Sequence, residues 1–524
     1  MPNIARIARL IASLLSALLV IGGCTVLGPD YEEPEVTWLD DWRSTVYPTT
    51  EGTLEEQANS LQVWWHLFKD PVLNELIDTA YNNNLSLRIA GLRILESRAI
   101  LGIAGSGLYP QIKQASSALT YVNTEQHGNA LPDPSGSQTT YQVGANLSWE
   151  LDFWGKFKRG IESADAAYFA SIANQQDLQV LLNAQVTDLY FAYRVTQTRI
   201  RIAHENAALQ KRSYEITERR FKLGQDSELD LQQAKTQYLG TLSSIPPLEA
   251  TLIRTRNALA VLVGKPPGDL PGLTTDYHEL PRVGSKNIET IPARLLIRRP
   301  DIRASAWQVA AQSAQIGIAE ADLYPSVSLL GSLGLSGNNR SNSSDISTLA
   351  LGPSLRWNIF DYGRIKNNVR VQDARLQQLI ESYQQAVLQA AQEVDNAAIS
   401  VQKTAETDDL LLETVVAAKR SLELATDRYS EGYSDFQRVL DAQRVLFTQT
   451  ERQVINHGNH LSALIALFKS LGGGWVVSPI DHLVPEVIRN SMQKRVDWGA
   501  LLPAPLDDTE TSAMQTDEEP SHER

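Results

Sequence analysis

One cysteine, Cys24, stands in a chain of 524 residues, so no intrachain disulfide exists. Methionine (3) and histidine (8) are scarce, which leaves no soft-ligand relay and no zinc-like ligand spacing. The chain has no G-x-S-x-G, no H-E-x-x-H and no phosphate loop, and with them go the common hydrolase and nucleotide sites. A carboxylate pair of the glycosidase kind is not excluded by counting, because acidic residues are plentiful. "HGNH", with His457 and His460, offers two nitrogens and no third ligand; it reads as an irregularity at Gly458. Positive charge is short as well. The net charge is −14 without a dominant basic patch, which excludes nucleic acid as a partner.

Beyond the N-terminus no run reaches the roughly 20 apolar residues of a spanning helix. Glycine and proline are missing from residues 161–223 and 364–431. At 1.5 Å per residue, each gap is room for a helix of about 90–100 Å, which is coiled-coil scale. Ile380, Tyr383, Val387, Ala390, Val394, Ala397 and Val401 step by three and four, as a packing seam does, and Leu182, Val186, Leu189 and Tyr193 repeat the pattern. Each stretch stops at a glycine followed by a helix starter, Gly224 before Asp226 and Ser227, and Gly432 before Ser434 and Asp435.

At the N-terminus, Arg6 and Arg9 precede an apolar stretch, Leu10 to Ile21, and Gly22-Gly23 lead into Cys24. This is a secretory signal over residues 1–23. The cysteine resembles that of a bacterial lipobox, where the thiol is acylated and becomes the first mature residue. One acyl chain holds a protein to a membrane only marginally, so stable residence takes several chains or an integral part.

The chain repeats itself at a spacing near two hundred residues. "LGIAGSGLYP" (Leu101–Pro110) returns as "IGIAEADLYP" (Ile316–Pro325), and "LSWELDFWGKFKRG" (Leu147–Gly160) as "LRWNIFDYGRIKNN" (Leu355–Asn368). "RRFKLGQDSELDLQQA" (Arg219–Ala234) is echoed by "DRYSEGYSDFQRVLDA" (Asp427–Ala442). The period is too long for a solenoid and implies a duplicated unit. Each copy carries two strand candidates. Tyr141, Val143, Ala145, Leu147, Trp149, Leu151 and Phe153 alternate with polar or small residues; so do Val327, Leu329, Leu333 and Leu335, and then Leu349, Leu351, Leu355, Trp357 and Ile359. The strand after Pro110 alternates less cleanly. Four strands cannot close a barrel alone, and a lipid-facing sheet must close. Three copies make twelve strands, within the range of outer-membrane barrels. Tyr141, Trp149, Phe153, Trp154, Trp357, Phe360 and Tyr362 are candidates for an interfacial aromatic girdle, although core aromatics fit the same periodicity.

With "GCTVLGPDYEEPE", "WWHLFKDPVLNELI" (Trp64–Ile77), "LLIRRPDIRASAWQVAAQSAQIGIAEADLYPSVSLLGSLG", "NIFDYGR" (Asn358–Arg364) and "ALFKSLGGGW" (Ala466–Trp475), the chain resembles the outer-membrane efflux factors of the TolC type. The likeness is to the lipoprotein branch that serves resistance-nodulation-division pumps, and it spans roughly Cys24 to Trp475. It implies an α+β membrane protein: a homotrimer with a 12-stranded outer-membrane β-barrel, four strands per chain, continuous with a long α-helical periplasmic barrel. It further implies an inner-membrane pump, a periplasmic adaptor, outer-membrane lipid around the barrel, no reaction, and no cofactor besides lipid on Cys24. The segments then divide as 1–23 signal peptide, 24–108 acylated N-terminus and first helices, 109–154 first strand pair, and 155–298 first long hairpin with an equatorial segment. The second copy follows as 299–323 helix, 324–361 strand pair and 362–475 long hairpin, with a tail at 476–524 whose final stretch reads as disordered.

Two sites carry over from the resemblance. An aspartate ring closes the periplasmic end in such proteins, and "RVLDAQR" places Asp441 there; three crowded carboxylates raise one another's pKa and attract cations. Arg428 and Tyr429 match residues that tie neighbouring helices in the closed state. The first copy has Gln233 at the position of Asp441. The tips, Gly224, Gln225, Asp226, Gly432, Tyr433 and Ser434, match the adaptor-contacting surface. "RRPDIR" (Arg298–Arg303) reads as helix initiation, with Pro300 in the first turn. A passive porin-like channel, or an exporter of metal ions or of an endogenous metabolite, stays open beside the drug-efflux reading.

Overall fold

The computed structural model describes residues 25–39, 42, 61–125, 136–268, 270, 272–273, 279–283, 293–339 and 345–502. The signal segment with Cys24, and the tail after residue 502, lie outside the described residues. In chain order the elements are α1 (Pro71–Asn83), α2 (Leu85–Ser106), β1 (Ile112–Thr124), β2 (Gly136–Leu151), α3 (Lys156–Lys222) and α4 (Glu228–Leu262). The second copy follows as α5 (Pro300–Ala321), β3 (Ser326–Asn338), β4 (Ile346–Arg356), α6 (Arg364–Ser430) and α7 (Phe436–Ser470). Short helices α8 (Ile480–Leu483) and α9 (Glu486–Arg495) come last. The duplication is therefore structural: α3 and α6 have 67 residues each, α4 and α7 have 35, and α2 and α5 have 22.

The chain forms two compact units, whose boundaries fall inside helices. The first contains residues 1–34, 94–171 and 305–383, and so holds the whole sheet. Its four strands are antiparallel in the order β1-β2-β3-β4, with the two copies meeting at β2 and β3. Register sets the faces. Val143 lies opposite Leu335, Ala145 opposite Leu333 and Trp149 opposite Leu329, while Leu333 lies opposite Leu349 and Val327 opposite Leu355. One face is thus apolar across β2, β3 and β4. β1 contributes Leu119 and Tyr121 to it but also Lys113 and Ser117, which is why its alternation is weak in the sequence.

Two expectations are corrected here. The alternation after Leu349 suggested a strand reaching Ile359, whereas β4 ends at Arg356. The chain turns there because the Trp357 indole donates to the Leu323 carbonyl at 3.0 Å, and Tyr362 and Gly363 both take positive φ. Gly458 does not interrupt α7 either. It sits against Val195, where an added Cβ would come within 2.8 Å of Cγ2, so the residue provides room rather than a break.

The second unit contains residues 35–93, 172–304 and 384–524. Its core gathers Trp64, Phe68, Leu73, Ile77, Val186, Phe191, Leu259, Leu461 and Phe468, from the first helices and from α3, α4 and α7. Trp64 stacks on Phe468 with centroids 5.2 Å apart, and Phe68 meets Phe191 edge-on at 4.6 Å. Asp70 starts α1 by accepting from the N–H groups of Val72 (3.0 Å) and Leu73 (3.3 Å), with Pro71 in the first turn. α5 begins at Pro300, and Arg299 before it pairs with both Asp301 (2.8 Å) and Glu393 (2.9 Å) and donates to the Ser470 carbonyl. The charge in "RRPDIR" therefore does more than start a helix.

Candidate functional site

The sheet is the first candidate surface. Leu119, Val143, Leu147, Leu329, Leu333, Leu335, Leu349, Leu351 and Leu355 are all exposed on its apolar face, Leu119 by 78% and Leu351 by 75%. Burying one such side chain is worth roughly 1.5–3 kcal/mol. Nine left in water would forfeit on the order of 10 kcal/mol, comparable with the entire stability of a domain. The opposite face carries rows of small neutral side chains, such as Gln114–Asn146–Ser332–Ala350 and Ser116–Gly144–Gly334–Thr348. Its strand residues bear charge only at Glu150 and Arg356. One face suits lipid and the other suits water. Among the described residues no helix is long and apolar enough to cross a membrane.

The aromatic candidates fall at two levels on these strands. Tyr141 and Trp149 are eight residues apart on the apolar face of β2, about 27 Å at 3.4 Å per residue, close to the apolar band of outer-membrane barrels. The Tyr141 hydroxyl donates to Asp345. Trp149 Nε1 donates to the Leu108 carbonyl at 3.1 Å, which the second copy reproduces with Trp357 and Leu323. Phe360 is 90% exposed. Phe153 is only partly buried. Trp154 packs into protein: it stacks on Tyr324 at 4.7 Å, and its indole donates to the Pro325 carbonyl at 2.8 Å.

The helical tips are the second candidate. At the end of α3, Gln225 N donates to Arg220 O and Gly224 N to Phe221 O, both at 2.9 Å. At the end of α6, Tyr433 N donates to Arg428 O at 2.9 Å and Gly432 N to Tyr429 O at 3.1 Å. Each is the double closure of a left-handed helix stop, and Gly224 (φ +71°) and Gly432 (φ +80°) fill the position that disfavours a Cβ. The turns then diverge. Ser227 and Asp230 form a reciprocal capping box at α4, whereas Asp435 makes no side-chain cap at α7.

Around those turns, both Asp226 oxygens accept from Arg220 Nε at 3.0 Å, and the guanidinium lies 5.4 Å from the centre of the Tyr429 ring. Tyr429 also meets Phe436 at 5.2 Å, above a small core of Ala234, Val439 and Leu440. Burial, reinforced by the Asp226 carboxylate, pushes the Tyr429 phenol above its ordinary pKa. Arg428 is exposed and has no ion-pair partner among the described residues. Ser434 replaces Asp226 at its turn, so Arg428 lacks what Arg220 has. Asp441 accepts from Arg444 at 2.7 Å and from Gln437 at 3.3 Å, and its carboxylate is half exposed. Tyr433 is 80% exposed. The structure thus places Asp226 and Tyr429 around one cation, Arg220, and leaves Arg428 and Asp441 facing outward. Sequence reading passed over Arg220, although the repeat alignment sets it opposite Arg428.

Among the described residues no group of three or more His, Cys, Asp and Glu is placed to hold a metal ion. His457 and His460 are buried and spend their nitrogens on Asp408 and Pro281, and on Thr404 and Val283.

Comparison with known proteins matches residues 76–265 and 291–473 to the family described as outer membrane efflux protein. The chain is 31% identical over 485 residues to the probable outer membrane lipoprotein SilC of Salmonella typhimurium, covering 88% of this chain and 98% of that one. It is 30% identical over 424 residues to the pyoverdine export outer membrane protein OpmQ of Pseudomonas putida KT2440, covering 80% and 89%. Among solved structures it is similar to the outer-membrane channel OprN, with a TM-score of 0.74 and 31% identity over 86% of this chain and 99% of that chain.

Proposed function

Because the chain belongs to the outer membrane efflux protein family, we propose that it works as a homotrimeric exit duct, gated at its helical tips, for an inner-membrane pump of the resistance-nodulation-division class. The observation that carries this reading is the sheet: four strands, one apolar and one neutral polar face, and no core on the apolar side. A closed twelve-stranded barrel from three chains satisfies both edges, presents the apolar face to lipid and lines a lumen with hydroxyls and amides. Such a lumen passes solutes without selecting them by charge, and family members of this kind are conduits rather than enzymes.

The gate follows from the tips. Arg428, exposed and without an ion-pair partner among the described residues, reaches a neighbouring helix pair, while Asp441 from three chains forms a carboxylate ring. Tyr429 is held in place from within by Arg220 and Phe436. A periplasmic adaptor meets the surface around Gly224, Gln225, Asp226, Gly432, Tyr433 and Ser434, and engagement there frees Arg428. Cys24 carries the lipid. Cargo is selected by the pump; relatives named for pyoverdine, solvents and cations share this one architecture, which supports small molecules of varied chemistry.

The test is planar-bilayer conductance of the purified protein together with growth inhibition of a deletion strain. Wild type is expected to conduct weakly, to be blocked by multivalent cations, and to restore resistance to a defined group of compounds. Arg428→Ala is expected to raise conductance, and Asp441→Ala to abolish cation block. High conductance in wild type, unchanged by both substitutions, would replace the gated duct with a passive channel.

A further inference from the structure

We infer that residues 25–33 form a rigid strap, locked by Arg159, that fixes the lipid attachment at the foot of the sheet and staples the two copies together. The inference rests on Cys24 carrying the lipid. Arg159, in the first turn of α3, has a side chain only 4% exposed, and it spends its whole guanidinium on this strap and its surroundings. Nε donates to the Leu27 carbonyl at 2.9 Å and Nη2 to the Gly28 carbonyl at 2.9 Å. Nη2 also pairs with Asp30 at 2.9 Å, and Nη1 with Glu162 at 2.7 Å. All three nitrogens of this buried guanidinium are hydrogen-bonded, and removing the strap would leave it only Glu162.

The strap is also shaped to its groove. Gly28 (φ +81°) lies on Gly317 of α5, where a Cβ on Gly28 would come within 2.5 Å of the Gly317 Cα, and a Cβ on Gly317 would collide with the Leu27 carbonyl. Val26 fills the space beside Gly155. Leu27 N donates to the Trp154 carbonyl at 3.2 Å, and Ser313 Oγ to the Pro29 carbonyl at 3.4 Å. Farther along, burial and the nearby Glu33 and Tyr383 raise the Tyr31 phenol. The strap therefore contacts α3 of the first copy and α5 of the second.

Position follows from chain length. Cys24 precedes Leu27 by only three residues in the chain. Leu27 is bonded to Trp154, three residues beyond the end of β2. The acyl group thus enters the membrane beside the sheet at a set point, as a peg rather than at the end of a free tether. Arg159 is a positioning residue for that peg. The repeat does not reproduce the lock: Asn367, which accepts from Arg370, stands at the repeat position of Arg159, and Gly102, the counterpart of Gly317, has nothing within 4 Å of an added Cβ among the described residues.

Hydrogen exchange by mass spectrometry on full-length protein purified from outer membranes tests this. In wild type, peptides covering 25–33 are expected to exchange at least about 100-fold slower than unstructured chain. Arg159→Met is expected to speed residues 25–33 and 313–321 by about 10-fold or more, leaving 136–151 unchanged. Should that variant fail to accumulate, Asp30→Asn, which removes only one outward-facing contact, is expected to speed 25–33 by about 2- to 5-fold. Unstructured rates over 25–33 in wild type, or rates unaltered by both substitutions, overturn the strap. The intact mass of the mature N-terminus reports separately on Cys24: a missing lipid mass removes the peg while the exchange data still decide the strap.

Discussion

The two copies agree in the lengths of their helices and in how their tips stop, and differ where a side chain meets something the other copy does not meet. Long helices, second hairpin arms and preceding helices have equal lengths in both. The tryptophan-to-carbonyl bond below the strands recurs as Trp149–Leu108 and Trp357–Leu323, and the tips stop by the same double closure. Against that background, Arg159 and Gly317 hold the strap, while Asn367 accepts from its neighbour Arg370 and Gly102 has open space beside it among the described residues. Arg220 has Asp226 while Arg428 has Ser434, and Asp441 has only Gln233 as its counterpart. Duplication supplied a frame twice; function settled on unlike positions of it.

The widest separation should appear at the paired glycines of α2 and α5. Gly317→Ala forces a Cβ into the Leu27 carbonyl and should cost about 1–3 kcal/mol, as overpacking does. Gly102→Ala meets open space and should instead gain about 0.5–1 kcal/mol from helix propensity. Thermal unfolding followed by circular dichroism would read the two shifts, and shifts of one sign would dissolve the distinction between filled and empty sites.

A second contrast is electrostatic. Asp177 in α3 has its carboxyl pushed up to about 6, mainly by burial and then by Asp301, with Arg299 and Lys469 pulling the other way. Its repeat counterpart, Gln385, does not titrate. A raised carboxyl binds protons more readily folded than unfolded, so stability should rise as pH falls from 7 through 6 and level off near 4. Asp177→Asn should therefore stabilise by roughly 1–2 kcal/mol at pH 7.5, after discounting for partial exposure, and by about a third of that at pH 4.5. A melting-temperature difference that stays constant with pH would remove Asp177 as the source. The smallest effect is local: Ser227→Ala should cost about 1 kcal/mol by breaking the capping box, and Asp435→Ala only a few tenths. Equal losses would mean that the two tips are capped alike.

Much of this was legible in sequence because it is written in short periods. Alternation located β2 and β3, the absence of glycine and proline located α3 and α6, and Gly224 and Gly432 marked the tips. What escaped depends on distant partners. Leu330 interrupts its strand's pattern by facing the polar side, and only the register with Ser148 and Gly352 shows it. Trp154 belongs to the aromatic run by spacing yet packs on Tyr324, a residue from the other copy. Arg159 looked like one cation in a basic helix start, since its partners Leu27 and Asp30 lie about 130 residues earlier. Arg220 was hidden differently: its value comes from Tyr429, which lies in the second copy.

The strap has a consequence in time. Residues 25–33 are among the first of the mature chain to be exported, but the carbonyl of Pro29 waits for Ser313, 284 residues later. Docking of residues 25–33 accordingly completes only when α5 is in place. Closure of that long loop comes late because its entropy must be repaid by contacts that exist only at the end. The strap thereby acts as a check on completeness: a chain truncated before the end of α5 would keep residues 25–33, yet never seat them.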